Sequence, residues 1–206
     1  DFAGTGDAFV KTWYDQSGNS NDATQTATGN QPQIVSSGAV IVENGKPAVE
    51  FDGANDFFNT SLNQGTLTEF LYTGVAAPTT TTALQSLIDL RDANDDGTRM
   101  LFINNGTIFT STDAADSSTT YAAAQQLVTG EYDGTNLITY VDGTGGTSVS
   151  GTDTTATANA LIGVQLGASS FFMNGTMQEL VLYFSDQSTN RTNIETNIAT
   201  FYDITI

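Results

Sequence analysis

Residues 12–22 read Thr-Trp-Tyr-Asp-Gln-Ser-Gly-Asn-Ser-Asn-Asp and contain Trp13, the only tryptophan of the chain. Trp13 closes a short apolar run that predicts a strand, and we expect its ring to lie inside the fold. The loop after it is rich in side chains that hydrogen bond to nearby backbone amides, namely Asp15, Asn19, Asn21 and Asp22. These side chains form either a turn-capping network or a loop that binds sugar or metal, and turn capping is the simpler interpretation.

The natural partner of this stretch is residues 46–53, Lys-Pro-Ala-Val-Glu-Phe-Asp-Gly. Ala48, Val49 and Phe51 predict a buried strand that stops at the Asp52–Gly53 turn. Together the two stretches resemble the opening of a laminin-G-like, concanavalin-A-like jelly-roll domain, of the type found in marine phage virion and bacterial surface proteins. Residues 177–183, Met-Gln-Glu-Leu-Val-Leu-Tyr, and the segment after them resemble the closing strand and terminal helix of such domains.

The resemblance implies one domain over residues 1–206 and an all-β fold, a two-sheet antiparallel β-sandwich of jelly-roll type. It does not imply one activity, because this architecture serves lectins, adhesins, virion proteins and glycoside hydrolases. The sequence begins at Asp1 without a methionine, and we expect the domain to be excised from a larger protein.

The spacing of turn signals along the chain independently predicts a sandwich of short strands. Residues 67–76 alternate with apolar character on both faces, which favours a central strand. The polar stretch Ser111–Thr120 predicts an exposed loop. Only the segment from about 188 to 202 reads as a helix, with Ser188 as its N-cap. Its apolar face is predicted to contain Ile194, Ile198 and either Phe201 or Tyr202.

Composition excludes several classes of function. Five basic residues stand against 23 acidic ones, giving a formal net charge of -18. Nucleic acid and anionic membrane surfaces are therefore not expected partners, since both require basic patches. Without cysteine or histidine the chain forms no disulfide, thiol nucleophile or histidine-dependent triad. No apolar run approaches the ~20 residues of a membrane-spanning helix.

Residues 92–97, Asp-Ala-Asn-Asp-Asp-Gly, match the first half of a calcium-binding loop pattern. Asp92, Asn94 and Asp96 would supply alternating oxygen ligands to a Ca²⁺ ion. The pattern fails at its twelfth position, Ile103, so an EF-hand is excluded. The segment is therefore either a plain acidic hairpin turn or a looser calcium site.

An enzyme of this fold class would need two carboxylates about 5–10 Å apart. Glu50 and Glu69 are predicted in strands and could face one sheet surface, but no motif places them in a cleft. The Trp-Tyr-Asp-Gln-Ser-Gly phrase also resembles fungal arabinofuranosidase domains, which are longer and contain cysteine. We therefore expect no catalytic residues, with an arabinofuranosidase-like glycoside hydrolase as a remaining alternative.

Aromatic side chains are the usual platforms of carbohydrate-binding surfaces. The tyrosines considered for this role are Tyr14, Tyr72, Tyr121, Tyr132 and Tyr140. Half-buried core positions are the more usual place for tyrosine in a sandwich, so the ligand-binding residues stay unassigned.

These observations favour a non-enzymatic, lectin-like binding or display module on a virion, as a head-fibre, decoration or tail component, or on a bacterial surface protein. Its expected partners are a host-surface glycan or protein and other virion or surface-protein subunits, and its expected location is extracellular. A purely structural spacer or capsid-stabilising domain is the competing hypothesis.

Overall fold

Turn residues divide this chain into many short strands. The computed structural model of the protein describes residues 4–90, 99–113, 115–165 and 167–206. The strands of the first half are β1 (Ala8–Phe9), β2 (Thr12–Trp13), β3 (Ala23–Thr24), β4 (Gln33–Ser36), β5 (Ala39–Val40), β6 (Val42–Glu43), β7 (Lys46–Pro47), β8 (Val49–Asp52), β9 (Phe58–Asn59), β10 (Gly65–Leu67), β11 (Phe70–Pro78) and β12 (Gln85–Leu90).

The second half continues in the same way, and a 3₁₀ turn at Thr28–Asn30 and one α-helix complete the described elements. Its elements are β13 (Arg99–Asn104), β14 (Thr107–Ser111), β15 (Asp116–Thr120), β16 (Gln126–Tyr132), β17 (Asn136–Val141), β18 (Thr144–Gly145), β19 (Val149–Ser150), β20 (Thr154–Ala156), β21 (Leu161–Ile162), β22 (Asn174–Tyr183) and α1 (Arg191–Tyr202).

The described strands form two large antiparallel sheets. Sheet A runs in the order β1-β4-β8-β22-β11-β16-β17-β18, with β5 beside β4 and β19 beside β17. Sheet B runs in the order β15-β14-β13-β12-β21-β9-β3-β2. Two short antiparallel pairs lie outside these sheets, the hairpin β6-β7 and the long-range pair β10-β20. The predicted all-β antiparallel sandwich is therefore confirmed.

The main core lies between the two sheets. It combines Phe51, Phe70 and Tyr72 of sheet A with Phe58 and Ile88 of sheet B, all of them buried. Strand β11 is buried on both faces over most of its length, which confirms the predicted central strand, although it runs from Phe70 to Pro78 rather than from residue 67. Burial on both faces is possible because a helix covers the outer face of sheet A.

Helix α1 supplies that cover. Ile198, Ala199 and Tyr202 pack on Val75 and Leu127 of sheet A and form a second apolar cluster. Phe201 is 59% exposed, so Tyr202 is the residue that completes the apolar face.

The predicted N-cap of α1 was wrong. The helix begins at Arg191 and its N-cap is Asn190. Ser188 instead donates its backbone N–H to the Asp186 carboxylate in a preceding turn. This local Asx turn satisfies the amide outside the helix and delays the helix start.

The prediction of an exposed loop over Ser111–Thr120 was also wrong. Residues 116–120 form β15, which pairs with β14 in sheet B. The Thr139 hydroxyl donates to the Ser117 carbonyl at 2.8 Å, and Ser117 is 1% exposed. Serine and threonine hydroxyls paired across the two sheets allow a polar sequence to occupy a buried strand.

Candidate functional site

Trp13 lies at the boundary between the core and a large cleft. Its ring centroid is 6.0 Å from that of Phe58, with the planes tilted by 59°, so one side packs on the core. The residue is only half-buried and also lines the cleft. The expectation that Trp13 lies wholly inside the fold is thus corrected, because β2 is the edge strand of sheet B and, among the described residues, pairs only with β3.

The loop after Trp13 is held by one carboxylate. Asp15 accepts hydrogen bonds from the backbone N–H of Ser17 at 2.7 Å and of Asn21 at 2.9 Å. The backbone N–H of Asp15 in turn donates to Asp22 Oδ1 at 2.9 Å. The hydrogen bond from Asn21, followed by those from Ser17, lowers the pKa of Asp15. Turn capping, the simpler of the two sequence interpretations, is what these contacts support.

This network fixes the position of Tyr14. The Tyr14 ring is 66% exposed although both neighbours, Trp13 and Asp15, are anchored. The side chains of Gln16 and Asn19 follow it on the same rim of the cleft. The arrangement presents an aromatic face beside amide and hydroxyl groups on a restrained loop.

One long side of the cleft is formed by β22. On one side this strand pairs with β11 through Leu71–Pro78. On its other side β8 pairs only with its first part, Asn174–Met177. In the described part of the chain, residues 178–183 of β22 therefore have no strand partner on that side.

The hairpin β6-β7 marks the point where the β8 ladder stops. Asn44 and Gly45 at its tip both have positive φ, 47° and 75°, as a type I′ hairpin turn requires. Gln178 Nε2 donates to the carbonyl of Lys46 at 3.1 Å and to that of Glu43 at 3.2 Å. The Gln178 side chain thus bonds to the hairpin at the point where the next backbone pair of the β8–β22 ladder would follow.

The cleft that opens beyond this point has a volume of about 1720 Å³. Its apolar floor lies between the sheets and includes Leu62, Ile162, Leu180, Leu182 and Phe184. One wall is the Trp13–Asn21 loop, and the other is the exposed face of α1 with Asn193, Asn197 and Phe201. The charged residues among its described lining are Asp15, Lys46, Glu179 and Asp203.

Lys46 is engaged rather than free. Its ammonium nitrogen lies 4.5 Å from the centroid of the Phe201 ring, a cation–π distance. Asn44 in the same hairpin donates to the Tyr202 carbonyl at 3.0 Å. These contacts connect the hairpin to the C-terminal turn of α1.

A separate group of charges is buried under the first turn of α1. Arg191 contacts the carboxylates of both Glu131 and Glu195, and its guanidinium carbon lies 3.8 Å from the Tyr140 ring centroid. Burial raises the pKa of both glutamates, while Arg191 opposes the shift. Oε1 of each glutamate is buried without a hydrogen-bond partner among the described residues. One guanidinium therefore balances two buried carboxylates.

The structure does not bring together the two glutamates considered for catalysis. Glu50 on β8 pairs with Thr176 on β22, and Thr176 pairs with Ala77 near the end of β11. Glu69 precedes Phe70 at the start of β11 and lies outside the described strands. The separation along β11 is roughly 25 Å. A working carboxylate pair needs about 5–10 Å, so these residues cannot act as one.

The other sequence candidates are also placed. Tyr72, Tyr121 and Tyr132 are buried, Tyr140 covers Arg191, and Tyr14 alone of the five is largely exposed. The proposed calcium residues Asp92, Asn94 and Asp96 lie outside the described residues. Within the described ranges, no three acidic, histidine or cysteine side chains meet in a way that could hold a metal ion.

Sequence reasoning missed the unpaired edge of β22 and the Arg191 group. Residues 178–183 were predicted as a strand, but the point at which a neighbouring strand ends depends on register and not on composition. Arg191 does carry a signal: it stands four residues before Glu195, a spacing that brings side chains together on a helix.

No family model and no curated protein matches this sequence. Solved structures share its fold at low identity. A GH54 α-L-arabinofuranosidase is 14% identical with a TM-score of 0.65, and the match covers 96% of this chain and 52% of that one. A SAP-like pentraxin from Limulus polyphemus is 10% identical with a TM-score of 0.54, covering 73% and 82%.

The CBM40 domain of a Ruminococcus gnavus sialidase, bound to α2,6-sialyllactose, is 17% identical with a TM-score of 0.50, covering 63% of this chain and 84% of that one. These likenesses establish a shared sandwich architecture. Among the described residues of this chain, no helix is long and apolar enough to span a membrane.

Proposed function

We propose that this domain is a non-enzymatic, lectin-like module that binds carbohydrate at the mouth of the cleft, beside Tyr14. The observation that carries the proposal is the 66% exposed Tyr14 ring on a loop fixed by Asp15. A restrained, exposed aromatic ring offers contact area to the apolar face of a sugar at little cost in conformational entropy. Neighbouring amides can bond to the sugar hydroxyls.

The charge of the cleft favours an uncharged glycan. Three carboxylates, those of Asp15, Glu179 and Asp203, line it against one ammonium group, and Lys46 already packs on Phe201. No arginine is present among its described lining residues, so an anionic sugar would meet repulsion without a bidentate partner. This preference would separate the domain from its structural neighbour that was solved with sialyllactose.

The size of the cleft supports a polymeric ligand. Its 1720 Å³ exceeds the roughly 300–1,000 Å³ typical of small-molecule sites. The shared fold with a carbohydrate-binding domain and with an α-L-arabinofuranosidase adds support at the level of architecture only.

The wider setting we propose is a virion or a bacterial surface protein, with the domain displayed outside the cell to contact a host-surface glycan or protein. The acidic, cysteine-free composition supports this setting. A structural spacer without a ligand is the alternative, favoured by the burial of most candidate tyrosines.

A glycan array followed by calorimetry tests the proposal. We expect wild type to bind one or more neutral oligosaccharides and Tyr14→Ala to reduce that affinity at least about tenfold, or ~1.4 kcal/mol. Phe9→Ala is the matched control, because Phe9 is also an exposed aromatic residue (51%) but does not line the cleft. Absence of binding by wild type would favour the spacer, and equal loss in both variants would contradict the Tyr14 site.

A further inference from the structure

We propose that the first turn of α1 is a pH-sensitive element, held on sheet A when Glu131 or Glu195 binds a proton and loosened when that proton leaves. Glu131 is on β16 of the sheet and Glu195 is on the helix, and both contact Arg191 at the helix–sheet boundary. The two glutamates are 5% and 1% exposed. The inference is independent of carbohydrate binding at Tyr14, because it concerns how the helix sits on the sheet.

The first turn of α1 has little support of its own. Within the described part of the chain, its N-cap Asn190 makes no side-chain capping hydrogen bond, and the turn contains no acidic residue. The helix begins with Arg191, a cation at the end where the backbone dipole is already positive. Ile194 is partly buried, whereas the second half of the helix packs on Val75 and Leu127. The first turn therefore depends on its charged contacts with the sheet.

Those charged contacts do not balance. Arg191 brings one positive charge to the two carboxylates of Glu131 and Glu195, and the Tyr140 hydroxyl donates to Glu131 Oε2 at 3.2 Å. Oε1 of each glutamate has no hydrogen-bond partner among the described residues. With both glutamates ionised the group carries a net negative charge away from water, which is costly. One added proton makes the group neutral.

The surrounding charges set the direction of the response. Burial raises the pKa of both glutamates and Arg191 lowers it, while Asp186 and Asp133 oppose ionisation of Glu131. Burial also raises the pKa of Tyr140, so its hydroxyl stays neutral. A carboxyl group with a raised folded-state pKa stabilises the fold fully below its unfolded pKa of ~4.3, and this contribution is lost as pH rises through the folded value. The first turn should therefore be held most firmly at acidic pH.

The response reaches the cleft through one side chain of the turn. Asn193 lies in the first turn of α1 and lines the cleft. Phe201, at the other end of the helix, stays in contact with Lys46 of the hairpin β6-β7. Loss of the proton should thus loosen one part of the cleft wall and leave the other part in place.

Hydrogen exchange followed by NMR on the whole chain tests the proposal. Protection factors, which correct for the intrinsic pH dependence of exchange, are measured between pH 5 and pH 8. We expect the amides of residues 193–195 to lose at least about tenfold in protection over this range and those of residues 199–202 to change much less, because the opening is local. The side-chain carboxyl resonance of Glu131 or Glu195 should titrate over the same range, above that of an ordinary glutamate.

Two substitutions identify the group responsible. Glu131→Gln leaves the Arg191–Glu195 pair neutral, so residues 193–195 should keep nearly equal protection at pH 5 and pH 8. Glu179→Gln is the matched control and should retain the wild-type response. Glu179 is also half-buried with a pKa raised by burial, but its contact with α1 is Tyr202 at the other end.

Four results would overturn the proposal. They are constant protection in wild type, an unchanged response in Glu131→Gln, loss of the response in Glu179→Gln, and equal loss of protection along the whole helix. If Glu131→Gln does not fold, the wild-type carboxyl titration decides, because the proposal fails when neither Glu131 nor Glu195 titrates together with the loss of protection.

Discussion

Asp15 and Trp13 are neighbours in one loop but contribute in different ways. Asp15 is fixed by hydrogen bonds that it accepts from Ser17 and Asn21, and these shape the rim of the cleft. Trp13 contributes packing through one side of its ring, against Phe58. At this scale, recognition and stability therefore depend on separate side chains, and single substitutions can distinguish them.

Trp13→Ala should lower the free energy of unfolding by about 2 kcal/mol, because the ring is only half-buried and leaves an open surface rather than a sealed cavity. Phe58→Ala, which empties a site with 0% exposure, should cost more, ~3–5 kcal/mol. Urea denaturation of both variants provides the comparison. A larger loss for Trp13→Ala than for Phe58→Ala would show that Trp13 belongs to the core.

Asp56 should make stability depend on pH. The pKa of Asp56 is raised to about 6, mainly by burial. The hydrogen bond donated by the backbone N–H of Asp52 lowers the pKa, whereas the negative charges of Asp52 and Glu50 add smaller increases. A carboxyl whose folded-state pKa is raised binds its proton more tightly in the folded state. Its stabilising contribution is complete below the unfolded pKa of ~3.9 and is lost as pH rises toward about 6.

The measurement is the free energy of unfolding between pH 4 and pH 7 for wild type and Asp56→Asn. We expect wild type to lose stability across this window more steeply than the variant. Parallel curves for the two proteins would show that other groups cause the slope.

The calcium prediction for Asp92, Asn94 and Asp96 remains to be tested by experiment. If Ca²⁺ binds there, it raises the melting temperature, because a ligand that binds only the folded state stabilises that state. The stabilisation is about 2.7 kcal/mol when the Ca²⁺ concentration is a hundred times the dissociation constant. Thermal melts in EDTA and in calcium should then differ for wild type and coincide for Asp92→Asn/Asp96→Asn. An equal calcium response in both proteins would place the ion elsewhere.

Helix α1 is the element on which the outer face of sheet A depends. Its apolar side packs on Val75 and Leu127, and its first turn brings Arg191 between Glu131 and Glu195. The same helix supplies one wall of the cleft through Asn193 and Asn197. Any change in how the helix sits on the sheet should therefore alter the cleft.

Arg191→Met should destabilise the fold by about 3 kcal/mol at pH 8, because it leaves two buried carboxylates without a cation. The loss should shrink at pH 5, where Glu131 and Glu195, whose pKa values burial already raises, can take up protons. Adding Glu131→Gln and Glu195→Gln to Arg191→Met should recover part of the loss at pH 8. A pH-independent loss would indicate that packing on Tyr140 matters more than charge.

The molecule as a whole shows which features composition and periodicity determine. Alternation and turn residues predicted the sandwich, the central strand and the helical segment, since burial on one face imposes those periods. They misplaced β15, because Ser117 and Thr139 satisfy one another only once the two sheets meet. They also missed the cleft, since it results from the length of β8 relative to β22.

At this scale we expect no glycosidase activity. Glu50 on β8 and Glu69 just before β11 lie roughly 25 Å apart, whereas Glu131 and Glu195 are buried and held by Arg191. Incubation with arabinans, glucans and galactans should release no reducing ends over a day. Sustained release that Glu50→Gln or Glu69→Gln abolishes would contradict this expectation.

The position of β22 between β8 and β11 has a consequence for synthesis in the cell. Strands β8 and β11 leave the ribosome long before β22, and neither can complete its pairing in sheet A until β22 has been synthesised. Closing such distant pairings is slow and leaves strand edges exposed in the meantime. We expect nascent chains halted before Asn174 to be protease-sensitive and chaperone-bound, and this domain to fold only after β22 has been synthesised.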